Sequence, residues 1–155
     1  MEGDETTFDK KPVKKDGKNL MEWEQWVGMV QRGQPDTLIL HRLRPELTEP
    51  RAPGPGAIRK HEWQPIAEKH LSGRKLIFHT DSARSYKLRL PMVVHDHVVH
   101  CKQRVKVKGK WMWKAPKYVS LREHKLPDSG KVIKVKAGTQ IIDHVWRLFK
   151  SRLAL

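Results

Sequence analysis

The sequence predicts a single α/β domain over residues 1–155, with a mixed five-stranded sheet flanked by helices and a basic β-insertion before the last helix. Three observations lead to this fold class. Three apolar or β-branched segments joined by short turns predict an antiparallel meander. Two further segments carry apolar residues at helical spacing. One of these lies directly before an apolar strand, and a helix that crosses over into a buried strand indicates parallel pairing.

The meander occupies the first part of the chain. Its strands are assigned to residues 5–11, 22–33 and 37–43. The first connection, residues 12–19, contains Asp16-Gly17, a pair typical of two-residue hairpin turns. The second connection is assigned to Gln34-Pro35-Asp36, because these residue types are common in turns. Connections this short predict antiparallel pairing between neighbouring strands.

The elements after the meander alternate between helix and strand. Residues 44–59 are rich in proline and glycine and predict an extended loop. Apolar spacing predicts a helix over residues 60–71 and a second helix over residues 139–155. Between them, a short apolar strand begins at Leu76, and a fifth strand is assigned to residues 92–100. The two strands complete the predicted mixed sheet.

Residues 102–137 are the most biased part of the chain and predict a basic, β-rich insertion. In it, basic residues alternate with other residues, at Arg104, Lys106, Lys108 and Lys110, and again at Lys134 and Lys136. A strand with this period carries its basic side chains on one face. Trp111 and Trp113 also share a face. We interpret them as packing the insertion against the body of the protein, with stacking on unpaired bases as the alternative.

The charge of the chain predicts a polyanionic partner. Lys and Arg number 32 against 17 Asp and Glu, which gives a net charge of +15. Neutralising phosphates releases counterions, so nucleic acid is the partner that best accounts for this excess. One interpretation that uses charge alone is a basic RNA-binding or ribosome-associated protein.

Cysteine usage and hydropathy predict an intracellular, soluble protein. A single cysteine, Cys101, excludes an internal disulfide framework and suits a reducing compartment. No apolar stretch reaches membrane-spanning length, and the first residues lack a signal-peptide core. The expected location is with DNA, in the nucleus of a eukaryote or the cytoplasm and nucleoid of a bacterium.

An apolar strand that ends on an acid raises the question of function. The segment 75-KLIFHTDSARSY-86 runs from apolar residues into Asp81. The order of elements resembles that of an RNase H-like domain, in which acids from the first strand, the end of the fourth strand and the last helix converge. Asp4 (or Glu5), Asp81 and Asp143 occupy those places. Carboxylates bind pairs of Mg²⁺ ions, which stabilise the attacking and leaving oxygens during phosphodiester cleavage.

The last helix carries one polar face. Gln140, Asp143, Arg147 and Lys150 are spaced by three or four residues and lie on the same side. This arrangement suits metal and phosphate binding, and it equally suits a solvated face with an ordinary Asp143–Arg147 pair. Asp81 has a comparable alternative, since it or Ser82 can cap the following helix.

Three blocks of the sequence resemble the catalytic domain of DDE-type transposases, in the bacterial insertion-sequence and Merlin-like group. The blocks are 1-MEGDETTFDKK-11, 79-HTDSARSY-86 and 138-GTQIIDHVWRLFK-150. The first is similar to the opening strand of the family, and the second to its His-Thr-Asp followed by a Tyr. The third is similar to Thr-Asn/Gln-x-x-Glu-x-x-Trp with a downstream Lys.

The resemblance implies a function in DNA transposition. It implies an Mg²⁺- or Mn²⁺-dependent enzyme that cleaves duplex DNA at element ends and transfers the freed strand to target DNA. Asp4, Asp81 and Asp143 are implied as catalytic metal ligands, and Gln140, Arg147 and Lys150 as DNA contacts. Double-stranded DNA is the implied partner, and assembly as a homo-oligomer on DNA is expected.

Two departures from the family pattern define the alternative function. Asp143 stands where the family has Glu, and is one methylene shorter. Relatives also carry a DNA-binding segment before the first catalytic strand, where this chain starts. The alternative is therefore a truncated or domesticated copy, which binds DNA and is catalytically inactive.

Overall fold

The computed structural model describes residues 1–99, 101–116 and 120–153 and shows an α/β fold dominated by strands. The elements, in chain order, are β1 (Glu2–Lys15), β2 (Lys18–Gln31), β3 (Gln34–Arg42), β4 (Glu46–Thr48), α1 (Lys60–His70), β5 (Leu76–Thr80), β6 (Val93–His97), β7 (Gln103–Val107), β8 (Lys110–Lys114), β9 (Leu121–Lys125), β10 (Val132–Lys136) and α2 (Gln140–Arg152). A single 3₁₀ turn, Arg84–Tyr86, lies between β5 and β6. No helix in the described ranges is both long and apolar enough to cross a bilayer.

The main sheet is mixed, as the sequence predicted. Its strands run in the order β3-β2-β1-β5-β6, and β4 pairs with the part of β2 that does not pair with β3. β1, β2 and β3 pair antiparallel, whereas β5 pairs parallel with both β1 and β6. The strand order therefore places β1 at the centre, next to both the meander and the parallel strands.

Both predicted connections of the meander differ from the structure. Residues 12–19 are not a loop, because β1 and β2 pair up to Lys15 and Lys18, and only Asp16-Gly17 turn. Both turn residues have positive φ, the geometry that matches strand twist. The segment Gln34-Pro35-Asp36 lies within β3 instead of forming the turn. β3 is an edge strand, where the missing N–H of a proline is tolerated.

Helix α1 covers one face of the sheet and forms the larger part of the core. Trp63, Ala67 and Leu71 are buried against Met29 and Phe78 of the strands. This apolar stripe is the one that the spacing of the sequence predicted. The loop before α1 contains one short strand that the sequence did not indicate, β4.

Helix α2 covers the opposite face. Ile142 and Trp146 are buried against Val30 of β2, with Phe8 and Phe149 at the margin. The close fit depends on Gly28, because a Cβ at that position would lie 2.6 Å from the Trp146 ring. A strand glycine here lets the indole approach the backbone of β2. The spacing of the sequence also predicts Leu148 and Leu153 in the apolar stripe of this helix, but both side chains are exposed.

Where the structure describes the segment between β6 and α2, the chain forms two separate hairpins. β7 pairs with β8, and β9 pairs with β10, each antiparallel and outside the main sheet. Arg122 of β9 joins the second hairpin to the sheet by donating to Asp96 and to the carbonyl of His97. The first hairpin is exposed over nearly all of its residues.

Candidate functional site

Asp4, Asp81 and Asp143 all lie at the face of the sheet that α2 covers. Glu2 pairs with His79 across the parallel strands, so the same register continued by two residues sets Asp4 beside Asp81. Asp4 also pairs with Gly28, over which Trp146 packs, and side chains of paired residues share a face. Asp143 is in the first turn of α2, three residues before Trp146.

The acids are electrostatically coupled. The pKa of the Asp4 carboxyl is raised from 3.8 to about 9, first by burial and then by the charges of Glu5, Asp143 and Asp81. Like charges disfavour one another's ionisation, so these acids influence one another electrostatically across this part of the sheet. Within the described residues, no three acidic, histidine or cysteine side chains are close enough to form an assembled metal site. The carboxylates share one region without forming a ligand cage.

Asp4, and not Glu5, faces this region. The carboxylate of Glu5 accepts hydrogen bonds from the backbone N–H of Ile58, at 3.1 Å, and from the Tyr86 hydroxyl. Burial is the largest cause of the raised pKa of Glu5. Because successive strand residues point to opposite faces, Glu5 belongs to the α1 side of the sheet. The sequence left open which of the two acids faces the same region as Asp81 and Asp143. The structure places Asp4 on the α2 side of the sheet and Glu5 on the α1 side.

Asp81 lies directly after β5 and organises the turn that follows. Its Oδ1 accepts a hydrogen bond of 2.9 Å from the backbone N–H of Ala83. This contact closes an Asx-type turn and is not a helix cap, because the 3₁₀ helix that follows has Ala83 at its N-cap position and no side-chain capping bond. One carboxylate oxygen of Asp81 thus accepts a hydrogen bond from the local backbone, and the position of Asp81 at the end of β5 sets it beside Asp4. Among the described residues, neither Asp4 nor Asp81 forms an ion pair with a Lys or Arg.

Asp143 is held by Thr139, which the sequence places as the N-cap of the last helix because it follows Gly138. The Thr139 hydroxyl donates to Oδ2 of Asp143 over 3.2 Å, instead of capping a backbone N–H. The capping role passes to Glu2, whose Oε2 accepts from the N–H groups of Ile141 and Ile142 at 2.7 and 3.1 Å. A carboxylate at a helix N-terminus is also favoured by the helix dipole.

Glu2 and Arg32 together form a clamp that holds the start of α2. The Arg32 guanidinium bonds to Oε1 of Glu2 at 2.7 Å, and Glu2 is only 1% exposed. The same guanidinium donates to the carbonyls of Lys136 and Gly138, in the connection between β10 and α2. Glu2 and Arg32 therefore position the helix that carries Asp143. The sequence did not indicate this pair, because Glu2 and Arg32 are 30 residues apart and meet only through the pairing of β1 with β2.

A second buried network lies beside the acids, on the same sheet face. Nδ1 of His79 bonds to Oδ2 of Asp96 at 3.0 Å, and Arg122 donates to Oδ1 at 2.6 Å. Burial alone would raise the pKa of Asp96, but these two hydrogen bonds lower it to about 2. Burial lowers the pKa of His79. This network was also missed, although Asp96 is an acid within an apolar strand and such an acid needs partners.

The predicted DNA contacts lie on the outside of the molecule. Gln140 and Lys150 are half-buried. The other predicted contacts are exposed: Arg147, Arg104, Lys106, Lys108, Lys110, Lys134 and Lys136. One prediction about them is wrong. Residues 104–110 are not one strand, because the chain turns at Lys108-Gly109, both with positive φ. Lys110 is therefore on β8 and pairs with Val107, on the face opposite Arg104 and Lys106.

Comparisons with models of known protein families, with curated proteins and with solved structures found no match for this chain. Three carboxylates on one sheet face supply the oxygen ligands that hard divalent cations prefer. Basic hairpins and the exposed face of α2 supply positive charge on the same chain.

Proposed function

We propose that the chain is a DDE-type transposase catalytic domain that cleaves phosphodiesters and transfers DNA strands with the help of Mg²⁺ or Mn²⁺. The observation that carries this proposal is the placement of Asp4, Asp81 and Asp143. They come from the first strand, the end of a parallel strand and the last helix, and they are neighbours on one sheet face. This spacing along the chain is the one that the resemblance to transposases implies.

The strand order supports the finer fold assignment. A sheet in the order β3-β2-β1-β5-β6, with an antiparallel meander and two parallel strands, is the arrangement expected of an RNase H-like domain. Helices pack on both faces of this sheet, although they are few. The proposal of an RNase H-like fold rests on this order and on the position of α2 over β1 and β2.

Asp4, Asp81 and Asp143 are the residues that would hold the divalent cations. When bound, such ions stabilise charge on the attacking and leaving oxygens of a phosphodiester. The donor set fits them, because all three groups are carboxylates and the buried Asp4 has other carboxyls as neighbours. Arg147, exposed one turn beyond Asp143, and Lys150 supply positive charge for phosphates on the same helix.

A second candidate function is a catalytically inactive, domesticated transposase derivative that binds DNA. Two observations favour it. The described residues contain no assembled metal site. Asp143 is also shorter than the Glu that the resemblance implies, and its Oδ2 accepts a hydrogen bond from Thr139. The basic surfaces would keep a DNA-binding function without these acids.

Nicking of supercoiled DNA in the presence of Mg²⁺ or Mn²⁺ tests the first candidate. We expect wild-type protein to nick, and Asp4→Asn, Asp81→Asn and Asp143→Asn to fall to background. Asp36→Asn is the matched control, because Asp36 is an exposed acid of the meander. Asp143→Glu is expected to nick faster, since the added methylene restores the reach of the family residue.

Titration calorimetry with Mn²⁺ separates the two candidates. Metal binding by wild-type protein that Asp81→Asn abolishes and Asp36→Asn retains supports the enzyme. Salt-dependent duplex binding with neither metal binding nor nicking supports the inactive derivative. A marked preference for structured RNA over duplex DNA would contradict both.

A further inference from the structure

The β7–β8 hairpin is exposed on both of its faces. Of its ten strand residues, nine are exposed and only Val105 is half-buried. A lone two-stranded ribbon is marginally stable in water and gains little from such exposure. The interpretation that Trp111 and Trp113 pack the insertion against the body is therefore wrong, because they are 59% and 70% exposed.

These two tryptophans differ from the others in the chain. Trp23, Trp63 and Trp146 are buried, and Trp26 is half-buried. Large aromatic side chains are normally sequestered, and an exposed pair on one surface commonly marks a binding site. The hairpin therefore presents two indole rings to solvent that contribute little to the core.

Cations surround the two rings on the same face. Trp113 pairs with Arg104 and Trp111 pairs with Lys106, and side chains of paired strand residues lie on one face. The Arg104 guanidinium is 4.9 Å from the centroid of the Trp111 ring, and the Lys106 amine is 5.9 Å from it. Aromatic planes flanked by positive charge form a surface suited to bases and phosphates together.

The positions of the two tryptophans along β8 also suit bases. Residues two apart on a strand are separated by roughly 6.6 Å along the backbone. Stacked bases are about 3.4 Å apart, so the backbone separation is about twice the stacking distance. A paired base is already stacked inside the duplex, and only an unpaired base exposes its faces to an indole.

The charge of the hairpin defines the kind of partner. Between Gln103 and Lys114 the chain carries five cations and no acid: Arg104, Lys106, Lys108, Lys110 and Lys114. An apolar protein surface would not match this charge, whereas a polyanion with exposed aromatic faces matches both charge and rings.

We infer that the Arg104–Lys106–Trp111–Trp113 face of the β7–β8 hairpin is a binding site for single-stranded DNA, in which unpaired bases stack on the tryptophans. The choice of DNA over RNA rests on the proposed function, since a transposase exposes unpaired nucleotides where it cuts. The stacking itself needs no metal and no catalytic acid.

Fluorescence anisotropy with a labelled thymidine oligonucleotide, in buffer with EDTA, tests the site. We expect Trp111→Ala combined with Trp113→Ala to weaken binding of the oligonucleotide by roughly tenfold or more. Binding of a labelled duplex should change less than twofold. Trp111→Phe combined with Trp113→Phe should retain most of the affinity, because phenyl rings also stack.

The matched control is Met112→Ala. Met112 lies between the tryptophans, is 54% exposed and pairs with Val105 on the opposite face. An equal loss of oligonucleotide binding in Met112→Ala would overturn the site, as would an equal loss of duplex binding in the tryptophan variant. Tighter binding to a uridine oligonucleotide than to the thymidine one would overturn the choice of DNA.

The same measurement in an Asp81→Asn background separates this inference from the proposed function. We expect oligonucleotide affinity to be unchanged there, even though nicking is lost. If wild-type protein does not nick but binding still depends on Trp111 and Trp113, the proposed enzyme fails while the stacking site stands. If nicking occurs without that dependence, the stacking site fails alone.

Discussion

The start of α2 and the β7–β8 hairpin are built in opposite ways. The first is buried and held by several partners, since Glu2, Arg32 and two backbone carbonyls all converge on it. The second is exposed on both faces and held mainly by its own strand pairing. The positions of the side chains at the start of α2 are therefore fixed by packing, whereas those on the hairpin are free to adapt to a partner of the kind proposed above.

The largest expected effect comes from breaking the clamp at α2. Glu2→Ala removes a buried carboxylate and leaves Arg32 and two helix N–H groups without their partner. We expect the free energy of unfolding to fall by about 3–5 kcal/mol, the usual cost of breaking a buried ion pair. Urea denaturation measures it, with exposed Glu49→Ala as the control. A loss as small as that of the control would show that the clamp does not stabilise the fold.

The next effect depends on pH and concerns Asp4. Its pKa is about 9 in the folded protein against 3.8 for an ordinary aspartate, so the folded state keeps a proton that the unfolded state releases. Stability therefore falls as pH rises from about 4 to about 9, and levels off outside that window. The slope is at most about 1.4 kcal/mol per pH unit.

Asp4→Asn should remove this slope. We expect the variant to match wild type near pH 4 and to exceed it in stability at pH 8, by urea denaturation at each pH. Asp36→Asn, an exposed acid, should follow the wild-type curve. Parallel curves for Asp4→Asn and wild type would mean that Asp4 is not the buried, coupled acid described above.

A smaller effect is expected at the contact between α2 and β2. Gly28→Ala places a Cβ 2.6 Å from the Trp146 ring and forces the helix or the indole to move. Overpacking of this kind costs about 1–3 kcal/mol. Gly54→Ala is the control, because a Cβ there meets nothing within 4 Å. Thermal unfolding should separate the two variants clearly, and equal melting temperatures would show that α2 has room to adjust.

The smallest effect is expected at the hairpin. Trp113→Ala should change the free energy of unfolding by no more than about 0.5 kcal/mol, as for other exposed positions. Trp146→Ala removes the same side chain from a buried site and should cost about 3–5 kcal/mol. Urea denaturation of the two variants side by side measures the difference between the regions directly. Similar losses would mean that the hairpin packs on the body in solution.

The elements of the fold were predictable because their signals are local. The apolar spacing of α1, the Asp16-Gly17 turn and the short apolar strand before Asp81 are read from neighbouring residues. The arrangement of the three acids followed from the order of those elements, and the structure brings them to one face.

The features that were missed depend on distant residues or on context. Glu2, Arg32 and the start of α2 meet only after the sheet has formed, so no window of sequence contains the clamp. Pro35 resembles a turn residue, and only its position in an edge strand makes it acceptable in β3. Basic residues alternate with other residues from Arg104 to Lys110 without interruption. This pattern predicted one strand, although the chain turns at Lys108-Gly109.

The connection between β10 and α2 has a mechanical consequence. Only residues 137–139 separate the two elements, all three are buried, and Arg32 binds the backbone on both sides of Ala137. The backbone between the exposed lysines of β10 and Asp143 of α2 is therefore short, buried and bonded to one guanidinium. Buried contacts of this kind restrict how far the end of the hairpin can move relative to the start of the helix.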